Sequence, residues 1–290
     1  MPVRIAWAVR RRWAPMAMVA AGAVGLVGAG PAAAGHPARH AEVDCHQDPS
    51  ALRNAIASAP SGATLLVEGT CIGRFVITRD LTLIGRGHAV LDGNHTHTTV
   101  EIGARVRLAR LTIAHGSASA GGGVSVNFGG MATLDHSTVK DNTAQEGGGI
   151  FNSEGATLTL DHSTVKDNTA TTHGGGIDNP GTMTLTGSTV KDNTAQQGGG
   201  IYNFGGTARL ELSTVRRNRA TNQGGGIFND HSGRVTLARS TARDNTAGGG
   251  PGSGGGIFNG VGTVTLDDSR VRHNHPDNCA PHGSVPGCKD

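Results

Sequence analysis

The residues best suited to chemistry in this chain come in columns. Lys140, Lys166, Lys191, Arg216, Arg243 and Arg272 occupy one place in a recurring segment. Cations stacked in this way could track an acidic polymer, with arginine binding carboxylates in a bidentate fork. Phe151, Tyr202, Phe228 and Phe258 share a second place, interrupted by Asp178. If exposed, these rings would offer faces for sugars to stack on; if buried, they would be core. Carboxylates temper the first idea. Asp141, Asp167, Asp192 and Asp244 directly follow four of the cations, and Asp135, Asp161, Glu211 and Asp267 form another acidic line. The charges could equally neutralise one another on a solvated face.

Catalysis needs particular groups converging in one place, so it is sought where the repeat is broken. Arg209, Arg216, Arg217, Arg219, Arg239 and Arg243 depart from or extend the consensus near Asp192 and Asp244. Within that patch Arg216, Arg217, Arg243, Asp192 and Asp244 are the candidates, and no catalytic role is assigned to any of them. The pairs His95/His97 and His273/His275 lack the further ligands of a metal site, so no metal is expected. Two asparagine lines, one through Asn152, Asn179, Asn203, Asn229 and Asn259 and one from Asn142 to Asn274, read as hydrogen-bonded ladders at corners.

The element that positions these columns is a coil. Residues 145–168, QEGGGIFNSEGATLTLDHSTVKDN, show it most fully, and its leucine recurs at Leu134, Leu160, Leu185, Leu210, Leu237 and Leu266, at spacings of 26, 25, 25, 27 and 29 residues. A period of this length signals a solenoid, in which each unit contacts its neighbours and function lies in lines of like side chains. Thr157 to Leu160 alternates polar and apolar with the period of a half-buried strand, and glycine triplets such as residues 147–149 break helices and permit tight corners. Three short strands and three corners fit one repeat, which is a turn of a parallel β-helix. Counting back through Leu108, Leu81 to Leu83 and Thr64 to Val67 gives about nine coils and a rod roughly 40 Å long at strand spacing. The fold class is therefore all-β. Before the first coil, Asp48 and Pro49 read as the N-cap and first residue of a helix whose face Leu52, Ala55, Ile56 and Ala59 would plug the end of the stack.

Residues 1–34 read as an export signal, with Arg4, Arg10, Arg11 and Arg12 ahead of an apolar stretch and the cleavage site Ala32-Ala33-Ala34. Removing them takes away four arginines and no acid, which changes the formal net charge from +3 to −1. The body is thus nearly neutral and is not expected to bind nucleic acid. It is expected to be secreted, without a membrane anchor after cleavage, and monomeric. Residues 35–43 form a short leader, 44–274 the β-helix with its cap, and 275–290 a tail. Cys45, Cys71, Cys279 and Cys288 lie two at each end, in a compartment where disulfides persist. Of the three connectivities we favour Cys45 with Cys71 and Cys279 with Cys288, each stapling one end; a zinc site lacks the ligand spacing.

From the helical cap through Gly69-Thr70-Cys71 to the last coil, about residues 44–275, the chain resembles the right-handed parallel β-helix proteins of the pectin-lyase-like superfamily. Its Gly-Gly-Gly-Ile-x-Asn repeats resemble those of bacterial polymorphic outer-membrane and adhesin-type passengers. The resemblance implies a single-stranded right-handed parallel β-helix, in a superfamily that holds both polysaccharide lyases and non-catalytic members, so fold does not settle function. The aspartate sets of a polygalacturonase are missing, and pectate-lyase calcium ligands cannot be mapped residue by residue. No catalytic residue carries over. The reading at this stage is a secreted, non-catalytic repeat protein that contacts carbohydrate or a cell-surface polymer, acidic polysaccharide included, through its outer columns. The alternative is a lyase acting on a uronate polymer, the one case in which calcium would be expected; no cofactor is expected otherwise. With no barrel sequence after residue 290, self-transport through an outer membrane is not expected.

Overall fold

Alternation at period two, broken at fixed intervals by residues that accept left-handed backbone, makes the chain wind rather than fold back. In the coil that begins at Thr157, the strands are Thr157–Asp161, Thr164–Lys166, Thr169–His173 and Ile177–Asp178. The structure, a computed structural model, describes residues 40–289. The export signal and the start of the leader lie outside the described residues. Every strand pairing is parallel and joins one coil to the next: Leu160 aligns with Leu134 below and Leu185 above, and Val165 with Val139 and Val190. The first two strands of each coil belong to one bent sheet, the third strands to a second sheet and the fourth strands to a third. Among the described residues the third sheet stacks nine strands, in keeping with a parallel β-helix of about nine coils.

The core is a set of apolar lines along the axis. Leu134, Leu160, Leu185, Leu210 and Leu237 form one, Val139, Val165, Val190 and Val215 another, and Ile150, Ile177, Ile201, Ile227 and Ile257 a third, all fully buried. Corners are held by polar ladders. Asn142, Asn168, Asn193, Asn218 and Asn245 each donate Nδ2 to the Oδ1 of the asparagine one coil on, at 2.9 to 3.0 Å. The second ladder runs Asn152, Asn179, Asn203, Asn229 and Asn259 at 2.7 to 2.8 Å. A serine ladder marks the bend between the first two strands, where the backbone amide of Ser163 donates to Ser188 Oγ at 3.0 Å and that of Ser188 to Ser213 Oγ at 3.1 Å. These buried groups would each cost about 1 to 3 kcal/mol if left unpaired. The Asn152 carboxamide oxygen, at the foot of its ladder, is buried without a donor because Val126 stands beneath it. The glycine triplets are required by close approach: a Cβ on Gly176 would lie 2.6 Å from the carbonyl oxygen of Gly200 in the next coil.

Both ends depart in detail from the sequence reading. Residues 40–43, expected as leader, belong with Asp44 to the strand His40–Asp44, which lies parallel on Thr64 to Glu68 with Ala41 and Val43 buried. The helix covers Ala51–Ser58 and its N-cap is Ser50, not Asp48. Asp48 instead accepts from the amide and hydroxyl of Ser50 at 2.8 and 2.7 Å, closing a turn that delays the helix by two residues. The helix buries Leu52, Ala55 and Ile56, as the pattern predicts. Cys45 is bonded to Cys71 and Cys279 to Cys288. At the far end Cys279–Ala280 adds a short strand to Ile257 and Phe258, so part of the tail belongs to the stack.

Candidate functional site

The second strand of each coil buries its central residue, Val139, Val165, Val190, Val215, Ala242 or Val271, and so turns the residue after it outward. In-register pairing then places Lys140, Lys166, Lys191, Arg216, Arg243 and Arg272 in one column. The next residue takes a left-handed backbone in every coil: Asp141, Asp167, Asp192, Arg217, Asp244 and His273 have φ between 53° and 57°. Aspartate tolerates this conformation better than most residues, and the turn carries its carboxylate back onto the preceding cation. Lys140 meets Asp141 at 2.8 Å, Lys166 meets Asp167 at 3.0 Å, Lys191 meets Asp192 at 3.3 Å, and Arg243 pairs with Asp244. The hydrogen bond that the Lys166 ammonium donates to the Asp167 carboxylate, together with that group's charge, holds the ammonium above its usual range. The lower half of the column is therefore a line of neutralised pairs.

The upper half is not neutral. Arg217 stands where the repeat has aspartate, and its guanidinium reaches down to Asp192 in a bidentate pair at 2.8 and 3.1 Å. That hydrogen bonding holds the Asp192 carboxyl below its ordinary range. Arg216 thereby loses the carboxylate its neighbours have, and Arg272 is followed by His273. Among the described residues neither Arg216 nor Arg272 has a carboxylate partner. Of the five cations Lys191, Arg216, Arg217, Arg243 and Arg272, Lys191 and Arg217 share Asp192 and Arg243 pairs with Asp244. The wider arginine patch is divided by the fold. Arg209, on a first strand, and Arg239, in the bend that follows one, share Glu211 at 3.5 and 2.5 Å, away from Arg216 at the end of a second strand, and Arg219 begins a third strand. The five catalytic candidates, Arg216, Arg217, Arg243, Asp192 and Asp244, lie together at one corner. Four of them form the two ion pairs just described.

The aromatic column sits elsewhere, on the outer side of the third sheet. Phe151, Asp178, Tyr202, Phe228 and Phe258 align coil by coil. Tyr202 and Phe228 face outward, yet they are only 7% and 4% exposed. The chain makes a concave corner here: side chains leaving the third and fourth strands outward can meet only across a re-entrant angle, and the rings of His173 and Tyr202 stack 4.4 Å apart across it. Tyr202 stacks on Phe228 at 4.9 Å and Phe228 on Phe258 at 5.1 Å, so most ring faces are already covered by neighbouring rings. A sugar approaching this column meets edges, except at Phe151 and Phe258, which are partly exposed. Phe204 and His231, which the repeat pattern did not single out, extend the cluster with centroids 3.8 Å apart. The signal for them was present, since each breaks its repeat position. Glu146 and His173 were missed because they precede the glycine triplets, where the alternation is least regular.

Other candidates have local partners. His136 and His162 stack at 5.1 Å, and each meets the aspartate before it. Among the described residues no group of three or more His, Cys, Asp or Glu side chains is placed to hold a metal ion, and no helix is long and apolar enough to cross a membrane. No curated protein matches the chain. Residues 80–242, more than half of it, match the family described as "Right handed beta helix region". With its in-register parallel coils and polar corner ladders, this chain belongs to the right-handed β-helix family.

Proposed function

We propose that this protein is exported, that it is non-catalytic and monomeric, and that it contacts an acidic carbohydrate or cell-surface polymer through the upper half of its basic column. The observation that carries this reading is the pair Arg216 and Arg272, outward cations without carboxylate partners in a line whose other members are paired. Coil spacing of about 4.8 Å presents them as a ladder rather than a point, which suits a repeating anionic chain. Long-range attraction to such a chain is screened by salt, so binding should weaken as ionic strength rises. The lyase alternative would use Arg217 or Arg243 as a base, and both are held to aspartates, which favours the binder.

Electrophoresis through gels containing polygalacturonate or neutral dextran tests the proposal. Polygalacturonate should retard the wild-type chain and dextran should not, while Arg216→Ala with Arg272→Ala should restore most of the free mobility. Equal retardation of wild type and variant would discard the column. Appearance of an ultraviolet-absorbing unsaturated uronate product would move the assignment to the lyase.

A further inference from the structure

Within the aromatic column one position is out of character. From Phe151 to Phe258 every register position carries a ring except Asp178. The missing ring is supplied from the preceding strand of the same coil, where His173 stacks on Tyr202 and continues the ladder. Gln197 and Gln223 hold the corresponding place in the coils above, and Glu146 in the coil below. This coil has therefore moved its ring across the corner and left a carboxyl in the gap above Phe151.

Asp178 as a residue is 3% exposed, and among the described residues its carboxyl has neither a hydrogen-bond donor nor a cationic partner. Ile177 and Asn179 on either side are fully buried toward the axis, so Asp178 points into the corner. The titratable groups around it are Glu146 and His173 on the third strands, Tyr202 on the next fourth strand and, beyond Tyr202, Asp230. Glu146 acts on it with a charge of the same sign. A carboxyl buried without a counter-charge of its own, beside a second carboxyl that His173 Nδ1 meets at 4.0 Å, is a costly arrangement that a cation would relieve. Among the described residues, ligands for a metal are not assembled here, whereas Phe151, in register beneath Asp178, has no ring stacked on it, and an open ring face attracts organic cations. Glu146 covers the gap with a side chain that is 46% exposed, leaving it room to swing aside while His173 stays stacked on Tyr202.

We propose that the corner at Asp178 binds an organic ammonium group, paired with the carboxylates of Asp178 and Glu146 and resting on the ring of Phe151. Without ligand, burial first and the Glu146 charge second push the Asp178 carboxyl up to about 8. Burial pushes the Tyr202 hydroxyl up to about 12, so it stays protonated throughout. Only ionised Asp178 pairs with the cation. Occupancy therefore follows the ionised fraction, and affinity should rise about tenfold from pH 7 to pH 9. The site lies on a different strand and corner from Arg216 and Arg272, so it stands or falls independently of polymer binding.

The full chain is titrated with tetramethylammonium or n-butylammonium chloride, followed by calorimetry or by the ring resonance of Tyr202, with sodium and calcium chloride at matched ionic strength as controls. Tetramethylammonium has no proton to lose, so its pH dependence reports the protein alone. The expected result is saturable binding of the ammonium ions, about tenfold tighter at pH 9. It should be abolished together with its pH dependence in Asp178→Asn and weakened severalfold in Glu146→Gln. Should Asp178→Asn fail to fold, Asp178→Phe, which restores the residue found in neighbouring coils, is expected to give the same loss. Absence of saturation in the wild type, undiminished binding by the Asp178 variants, or saturation by calcium in place of ammonium would each overturn the proposal.

Discussion

At the scale of single residues, stability and chemistry meet in side chains that are polar and buried. Asn193 donates to Asn218 Oδ1 and to the Val165 carbonyl at 3.0 and 3.1 Å, and its own Oδ1 accepts from the Asn168 amide and side chain at 3.0 Å each. Asn193→Ala strands partners on both sides in the middle of the stack. It should lower unfolding free energy by about 2 to 4 kcal/mol in urea titrations, and Asn274→Ala near the solvated end should cost less than half of that. Asp178 gives a pH signature of its own. Folded, it keeps its proton up to about pH 8; unfolded, it loses it near pH 4. The folded chain thus binds one proton more across that window, so the contribution of Asp178 to stability is full in acid and is lost as pH rises toward 8. The slope approaches about 1.4 kcal/mol per pH unit. Comparing wild type with Asp178→Asn at pH 5 and pH 8 isolates the effect: the variant should gain ground at pH 8, and a difference that does not change with pH would contradict it.

At the scale of elements, the two ends of the stack need what the middle does not. A central coil is covered above and below, whereas the strand His40–Asp44 and the short strand Cys279–Ala280 are, among the described residues, the edge strands at the two ends of the stack. The helix Ala51–Ser58 and the two disulfides sit at these edges. Cys45 and Cys71 are separated by 26 residues, and closing a loop of that length restricts the unfolded chain by about 3 kcal/mol. Replacing both by alanine should lower stability by about that amount in chemical denaturation under oxidising conditions. Replacing Cys279 and Cys288, which close a shorter loop of 9 residues, should cost less and release mainly the tail. The sequence predicts both pairings by position, because a solenoid has only two ends to staple. It misplaces the helix start because a side-chain-closed turn at Asp48 and a helix N-cap leave the same residue types behind.

At the scale of the whole molecule, contacts run almost entirely between successive coils, so stability is close to a sum of coil and interface contributions. Opening should begin at the ends and run inward. Amide hydrogen exchange should be slowest in the coils between Met131 and Ala247 and faster in the strands His40–Asp44 and Cys279–Ala280; uniform protection along the rod would contradict this. The fold also separates charge by face. The corner after the second strands carries the surplus of Arg216 and Arg272, and the corner between the third and fourth strands carries Glu146 and the buried Asp178. The two proposed sites would thus have opposite charge preferences about a common axis.

The sequence by itself determines that this chain coils, how many residues make a coil, and which side chains stack, because period-two alternation repeated at 25 to 29 residues leaves one in-register arrangement in which every leucine, valine and isoleucine line is buried. The basic column and both asparagine ladders follow from that register and were legible in full. Whether an outward side chain reaches solvent is another matter. The aromatic column alternates as an exposed one would, yet Tyr202 and Phe228 are covered. The glycine triplets fold the third and fourth strands into a concave corner, and the residue across it comes from a neighbouring coil. Likewise the left-handed turn at Asp141, Asp167, Asp192 and Asp244, not their mere adjacency, decides that four of the six column cations are paired. Alternation specifies in or out; the curvature of the surface, and what the next coil places over it, exist only in three dimensions.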